Sequence, residues 1–247
     1  MFESDAHIAG PPAFDPLPIR ASAIIVAAGS GRRMGGLAKP LLPLNGRPVI
    51  AYSLDAIQAS ALIDQIVLVG APETQTALEE LRDSGAWPKL DRLVRGGERR
   101  QDSVEAGLAA VHPSSDVILV HDGARPFAPA ALFDACVAAA RTYGAAIAAT
   151  PVIDTLKRAE GGTVQGTVDR TGLWAAQTPQ AVQVRFLSDG FAFARRHGIE
   201  VTDEAMLMET IGQSVRIVPG GRFNLKITHP DDLPVAEAFA RYLREAR

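Results

Sequence analysis

The sequence predicts an α/β fold, a mostly parallel sheet covered by helices, with an antiparallel β-arm inserted into it. Three observations lead there. Short apolar runs alternate with helix-period segments from about residue 21 to residue 151, the pattern of successive strand–helix units. The apolar runs are continuous, as strands buried on both faces require. Beyond Pro151 the pattern breaks into two short segments on either side of Gly161-Gly162, which reads as a hairpin with the glycines at its turn.

The elements follow in order. Strands are expected at 23–26, 65–69, 92–94, 117–121 and 145–151, and helices between them at 49–59, 74–84, 102–111 and 130–143. The hairpin occupies 155–159 and 164–168, and the polar turn 169–172 closes it. Helices return at 184–197 and 203–211, followed by short strands at 215–218 and 224–227. A last helix, 231–247, starts at Asp231, which can cap it, and carries Ala, Phe and Leu on one stripe. Trp174 reads as core at the base of the arm. Residues 1–19, rich in Pro and Ala and without periodicity, read as a disordered extension. The economical organisation is one domain over 20–247 with an arm at about 154–177.

With 47% hydrophobic residues the chain can bury a substantial core, and a net charge of −3 argues against general nucleic-acid binding. Any anion must therefore be held by a local cluster of Lys and Arg. The single cysteine, Cys136, forms no intramolecular disulfide and reads as a small buried hydrophobe. No apolar stretch is long enough to span a bilayer, and the N-terminus lacks a basic segment followed by an apolar one. A cytoplasmic protein is expected.

The first strand runs into Ala27-Ala28-Gly29-Ser30-Gly31-Arg32-Arg33-Met34-Gly35-Gly36. Glycines here let backbone N–H groups close around phosphate oxygens beyond the carboxyl end of a strand. The dinucleotide fingerprint fails because Met34 stands where glycine is needed and no acidic residue ends the second strand. A Walker P-loop fails because Leu37, not Lys, follows Gly36. Arg32, Arg33 and Lys39 remain, three cations around a backbone nest, and they suit a triphosphate.

That opening, with Lys39-Pro40 downstream, resembles the signature of nucleotidyltransferases that activate phosphorylated sugars. Four further stretches narrow the resemblance: Gly96-Gly97-Glu98-Arg99-Arg100-Gln101-Asp102-Ser103-Val104; Val120-His121-Asp122-Gly123-Ala124-Arg125-Pro126; Thr167-Val168-Asp169-Arg170-Thr171-Gly172-Leu173-Trp174 with Gln177-Thr178-Pro179-Gln180; and Asn224-Leu225-Lys226-Ile227-Thr228. In this order, from about Ala21 onward, they resemble the 2-C-methyl-D-erythritol 4-phosphate cytidylyltransferase family. Gly123 stands where that family also commonly has alanine.

The resemblance implies a Rossmann-like nucleotidyltransferase fold and transfer of CMP from CTP to 2-C-methyl-D-erythritol 4-phosphate. It implies CTP contacts at Ala27, Ala28, Gly29, Gly31, Gly97, Ser103 and Asp122, with the Gly96 loop reading cytosine. The sugar phosphate falls to Arg125, Thr155, Arg170, Thr178, Thr202 and Lys226, and catalysis to Arg33, Lys39, Arg170 and Lys226. A carboxylate beside phosphates calls for a cation, so Mg²⁺ at Asp122 is implied. The resemblance also implies a homodimer whose arm serves the neighbouring subunit's pocket; since family members can be fused to a cyclase and nothing follows the terminal helix here, a monofunctional chain is expected.

Plainer readings stand beside these. Asp102 or Ser103 could simply cap a helix, Asp122 could pair with Arg125, Arg170 could be a surface turn residue, and Thr202-Asp203-Glu204 could be only a capped helix start. His121 reads as a satisfied strand histidine. The rival activities are a cytidylyltransferase for another polyol phosphate such as ribitol 5-phosphate, a nicotinamide-dependent oxidoreductase, and a non-catalytic sugar-nucleotide sensor.

Overall fold

The computed structural model describes residues 20–29 and 38–245. The extension 1–19 and most of the glycine-rich turn, with Gly31, Arg32 and Arg33, lie outside the described residues. The chain runs β1 (Ala21–Ala27), the short pair β2 (Pro43–Leu44) and β3 (Arg47–Pro48), α1 (Val49–Gln58), β4 (Ile63–Gly70), α2 (Gln75–Asp83), β5 (Leu90–Arg95), α3 (Arg100–Leu108) and β6 (Val117–Asp122). It continues with α4 (Ala130–Tyr143), β7 (Ala145–Pro151), the arm strands β8 (Leu156–Glu160) and β9 (Thr163–Val168), and β10 (Trp174–Gln183). Then come α5 (Val184–His197), α6 (Glu204–Thr210), β11 (Arg216–Pro219) and α7 (Asp232–Glu245).

The main sheet has the order β11-β7-β10-β6-β1-β4-β5. Strand β1 pairs in parallel with β4 and β6, β4 with β5, and β11 with β7, whereas β10 is antiparallel to both of its neighbours. Alternation along β1 explains the two-sided packing. Ile25 points into a core with Leu54, Ile57, Phe133 and Val137. Ile24 points the other way, into a core with Val104, Leu187, Phe191 and Met208. Each such fully buried aliphatic side chain contributes about 1.5–3 kcal/mol, so the central strands anchor the fold. A third, smaller core joins Leu44, Phe127 and Ile227 to the α7 residues Ala236 and Ala240.

Because β1, β4, β5 and β6 run in the same direction, their carboxyl ends share one edge. The register places Ala27 beside Gly70, Gly70 beside Arg95, and Val26 beside Asp122. The arm forms its own two-stranded sheet. Its turn residues Gly161 and Gly162 have φ of 56° and 79°, the left-handed pair that a tight hairpin demands. Among the described residues no helix is long and apolar enough to cross a membrane.

Four expectations are corrected. The segment 174–183 is a strand inside the sheet, missed because Gln177-Thr178-Pro179-Gln180 reads as polar and proline-broken; the pairing with β7 does shift register between Ala176 and Gln180. Residues 224–227 form no strand, and their backbone is held instead through single contacts such as Ile227 N–H to Ala124 O at 2.8 Å. Trp174 is 39% exposed, not core. The last helix begins at Asp232, whose carboxylate accepts the N–H groups of Thr228 and His229 at 2.7 and 2.8 Å, so it is Asp232 and not Asp231 that ties down the turn before it.

Candidate active site

A cleft of about 560 Å³ opens over the carboxyl edge of the parallel strands. Ala27, Ala28 and Gly29 line it after β1, Lys39 lies at one side, the Gly96–Ser103 loop forms a wall, and Asp122 and Lys226 form the floor.

The wall depends on small residues. Gly96 N–H donates to Gly70 O at 2.8 Å, and a Cβ at Gly96 would collide with the Ala28 methyl and the Ser103 hydroxyl. Ser103 Oγ accepts the Gly97 N–H and donates to Arg99 O, each at 3.2 Å, so its proton is spent on the loop. Asp102 accepts the Arg99 N–H at 3.1 Å and also pairs with the Arg99 guanidinium. Asp102 therefore caps α3, while Ser103 holds the loop that borders the cleft.

The floor is a charge cluster. Asp122 Oδ2 accepts from Lys226 Nζ at 2.7 Å and faces Arg125 Nε at 3.7 Å, too long for a hydrogen bond. Asp122 Oδ1 faces Arg100 Nε at 3.4 Å. Burial alone would raise the Asp122 pKa, but Lys226, Arg100 and Arg125 outweigh it and hold the carboxyl well below the usual carboxylate range. Arg100 is itself gripped by Glu204, with nitrogen–oxygen distances of 2.8 and 2.9 Å. Burial opposes its charge, yet Glu204 and Asp122 raise its pKa above the ordinary arginine value. Burial pushes the Arg125 pKa down, with Asp122 opposing, and Arg125 Nη1 donates to Asn224 O at 2.8 Å.

Behind the floor, one hydrogen-bond chain fixes proton positions. His121 Nε2 lies 3.1 Å from Arg125 O, a carbonyl that can only accept, so Nε2 carries the proton. His121 Nδ1 is then an acceptor, and the Thr178 hydroxyl 3.1 Å away must donate to it. Thr178 Oγ1 in turn accepts the Asp122 N–H at 3.0 Å. His121 is the satisfied strand histidine that the sequence suggested, and burial lowers its pKa to about 4. Thr178, also buried, keeps only a lone pair to offer in this arrangement.

The structure thus brings Ala27, Ala28, Gly29, Lys39, Gly97, Ser103, Asp122 and Lys226 to one cleft, with Arg125 and Thr178 packed just behind. Thr202 is exposed at the start of α6, with its carbonyl 3.5 Å from Arg100 Nη1. Thr155 and Arg170 are exposed on the arm and do not line the cleft. Two residues that sequence reasoning passed over are central: Arg100, and Glu204, which is 3% exposed. Both sat inside stretches already singled out, but only the fold shows that they meet.

Comparison with known proteins places the chain in a family. The family model for 2-C-methyl-D-erythritol 4-phosphate cytidylyltransferase matches residues 21–242. The enzyme of that name from Prochlorococcus marinus is 46% identical over 217 residues, covering 87% of this chain and 96% of its own. Its namesake from Geobacillus kaustophilus is 42% identical over 217 residues, covering 87% and 95%. Among solved structures, 4-diphosphocytidyl-2C-methyl-D-erythritol synthase from Anaerococcus prevotii superposes with a TM-score of 0.79 at 32% identity, covering 91% of this chain and 97% of that one. The cytidylyltransferase from Thermus thermophilus gives 0.74 at 34% identity, covering 90% and 100%. The fold is the Rossmann-like nucleotidyltransferase fold, and the chain belongs to the 2-C-methyl-D-erythritol 4-phosphate cytidylyltransferase family.

Proposed function

We propose that the chain transfers CMP from CTP to 2-C-methyl-D-erythritol 4-phosphate, giving 4-diphosphocytidyl-2-C-methyl-D-erythritol and pyrophosphate for isoprenoid precursor synthesis. The observation that carries this reading is the glycine-walled cleft whose floor keeps Asp122 ionised among Lys226, Arg100 and Arg125. Such a site suits two phosphate-bearing ligands that must meet.

The chemistry asks little of a nucleophile–base pair. A phosphate monoester loses its second proton near pH 6, so the acceptor's own oxygen is already ionised. It attacks the α-phosphorus of CTP, and the bond to the departing pyrophosphate breaks in line. The protein's task is positioning and charge stabilisation. Lys39 and Arg33 act on charge at the α-phosphate, and Lys226 and Arg125 hold the acceptor, flanked by Thr178 and Thr202. Ala27, Ala28, Gly29 and Gly31 cradle the triphosphate, and the backbone around Gly97 and Ser103 reads cytosine. One ionised carboxylate facing phosphates fits Mg²⁺, which takes one or two carboxylates beside phosphate oxygens and keeps several waters. Asp122 would hold it, and the ion would supply neutralisation of phosphate charge.

The arm supports a homodimer. Ile153 and Val164 are 52% and 59% exposed, and an isolated two-stranded hairpin is marginal in water. A second copy would cover these side chains and receive Thr155 and Arg170 at its cleft. The deciding test is pyrophosphate release from CTP and Mg²⁺ with a panel of polyol phosphates. Turnover is expected with 2-C-methyl-D-erythritol 4-phosphate; preference for ribitol 5-phosphate would overturn the assignment.

A further inference from the structure

At the edge of the cleft lies an ion pair, half-buried at Arg100 and buried at Glu204, that the reaction scheme above does not use. Arg100 opens α3 at the end of the glycine-walled loop, and Glu204 opens α6 on the other side of the floor. Glu204 offers both carboxylate oxygens to the Arg100 guanidinium, at 2.8 and 2.9 Å. The Thr202 carbonyl lies 3.5 Å from Nη1, and Nε reaches Asp122 Oδ1 at 3.4 Å. One side chain of the nucleotide wall therefore reaches the carboxylate on the floor, the first residue of α6 and the Thr202 carbonyl just before that helix.

The distances rank these contacts. Arg100 sits in a close two-point grip on Glu204 and only a long contact with Asp122, while Lys226 takes Asp122 at 2.7 Å. A guanidinium prefers a two-point fit to a carboxylate. Without Glu204, the partner within reach for that fit is Asp122. Counted over the cluster, Arg100, Arg125 and Lys226 against Asp122 and Glu204 leave one net positive charge facing the cleft.

We propose that Arg100 and Glu204 are a positioning pair for cytidylyl transfer: Glu204 keeps Arg100 from capturing Asp122, and Arg100 sets Asp122 in register with the nucleotide wall. Neither is a catalytic residue, since the pair acts through Asp122. The inference rests on the cytidylyltransferase reading and deepens it by adding two residues.

The test compares Glu204→Gln, Arg100→Lys and the neutral double variant Arg100→Gln/Glu204→Gln with the unaltered protein. It measures kcat, the KM for CTP, and the melting temperature. Misplacing one reacting group by about an ångström costs roughly 10²-fold in rate. Glu204→Gln is expected to lower kcat by about 10- to 100-fold while the KM for CTP stays within about threefold. Arg100→Lys keeps the charge but not the two-point fit and should lower kcat by less than Glu204→Gln does. Glu204→Gln leaves a buried charge without its partner and can fail to fold. The double variant removes both charges and decides the matter in that case: a kcat still at least about tenfold down at a near-normal melting temperature supports the pair. A double variant with restored kcat, or rate losses that track melting temperature alone, would make the pair structural and overturn the inference. No pyrophosphate release by the unaltered protein would sink the functional reading and this inference with it, whereas active unaltered protein with an equally active double variant sinks the inference only.

Discussion

In the proposed reaction Asp122 and Arg170 both serve phosphate chemistry, yet they live in opposite surroundings. Asp122 ends a strand buried on both faces and is held by Arg100 and Lys226 from distant parts of the chain and by Arg125 three residues on. Arg170 follows an arm whose strands pair only with each other, and almost every residue around it is exposed. The contrast shows where order comes from. The floor of the cleft is organised within one chain, by low dielectric and mutual pairing. The arm has little burial of its own, and in the proposed dimer a neighbouring copy would place Thr155 and Arg170.

The largest effect should come from breaking the floor. Asp122→Asn takes the counter-anion from Lys226 and Arg125 and leaves Arg100 with Glu204 alone, and losing one partner of a buried ion pair typically costs about 3–5 kcal/mol. Chemical denaturation of the variant should show that loss together with near-complete loss of turnover. The sign with pH follows from the lowered Asp122 pKa. Its stabilisation is fully present above the unfolded carboxylate value of about 4 and is lost as pH falls through the lower folded value. The gap between unaltered protein and variant should therefore narrow only in acid. A constant gap would separate Asp122 from the cluster's electrostatics.

Next comes the charge at the α-phosphate. Arg33→Ala or Lys39→Ala should each lower kcat by roughly 10²–10³, or about 3 kcal/mol. An unchanged kcat with a raised KM for CTP would reduce them to ground-state binding. A comparable but purely thermodynamic effect belongs to His121. Between about pH 6.5 and its folded value of about 4, the unfolded chain binds a proton that the folded chain refuses. Stability should fall as pH drops through that window, by roughly 3 kcal/mol in all. His121→Gln should flatten that slope, and a variant with the same pH profile would refute the buried neutral imidazole.

The other half of the comparison is tested by mixing. Arg33→Ala protein combined with a Thr155→Ala arm variant should regain part of the lost activity, because one site of the heterodimer would then be intact. A fully active monomer in sedimentation would remove the dimer, and a dimer without complementation would keep Thr155 in its own subunit's site. The smallest effect lies outside both regions: deleting residues 1–19 should leave activity and melting temperature nearly unchanged. A clear fall in either would show that the extension contributes.

The same contrast explains what could be read from the sequence. Strands β1, β4, β6 and β7 are legible because burial on both faces makes them continuous apolar runs, and the arm is legible from Gly161-Gly162 alone. Strand β10 is not, because it is central yet polar. Its Gln180 is 1% exposed and spends its amide on Gln177 O, Asp203 and Ala205 N–H, partners that only the fold supplies. Asp122 could be found as a carboxylate at a strand end. Glu204 could not, since in sequence it follows the capping Asp203 as an ordinary helix start, and its burial appears only once α6 packs near Arg100.

The antiparallel strand also sets where the chain can tolerate changes of length. Strand β10 begins with exposed residues at the base of the arm and ends in the middle of the sheet beside β6. A residue inserted or lost at the arm tip, Gly161-Gly162, would be taken up by exposed backbone that touches little else. The same change between Thr178 and Gln183 would reverse which side chains face each layer, moving Ala181 and Val182 out of opposite cores and pulling Thr178 from the Asp122 amide. Lineages of this chain should therefore vary in length at the arm tip and hold a fixed residue count from Thr178 to the first turn of α5.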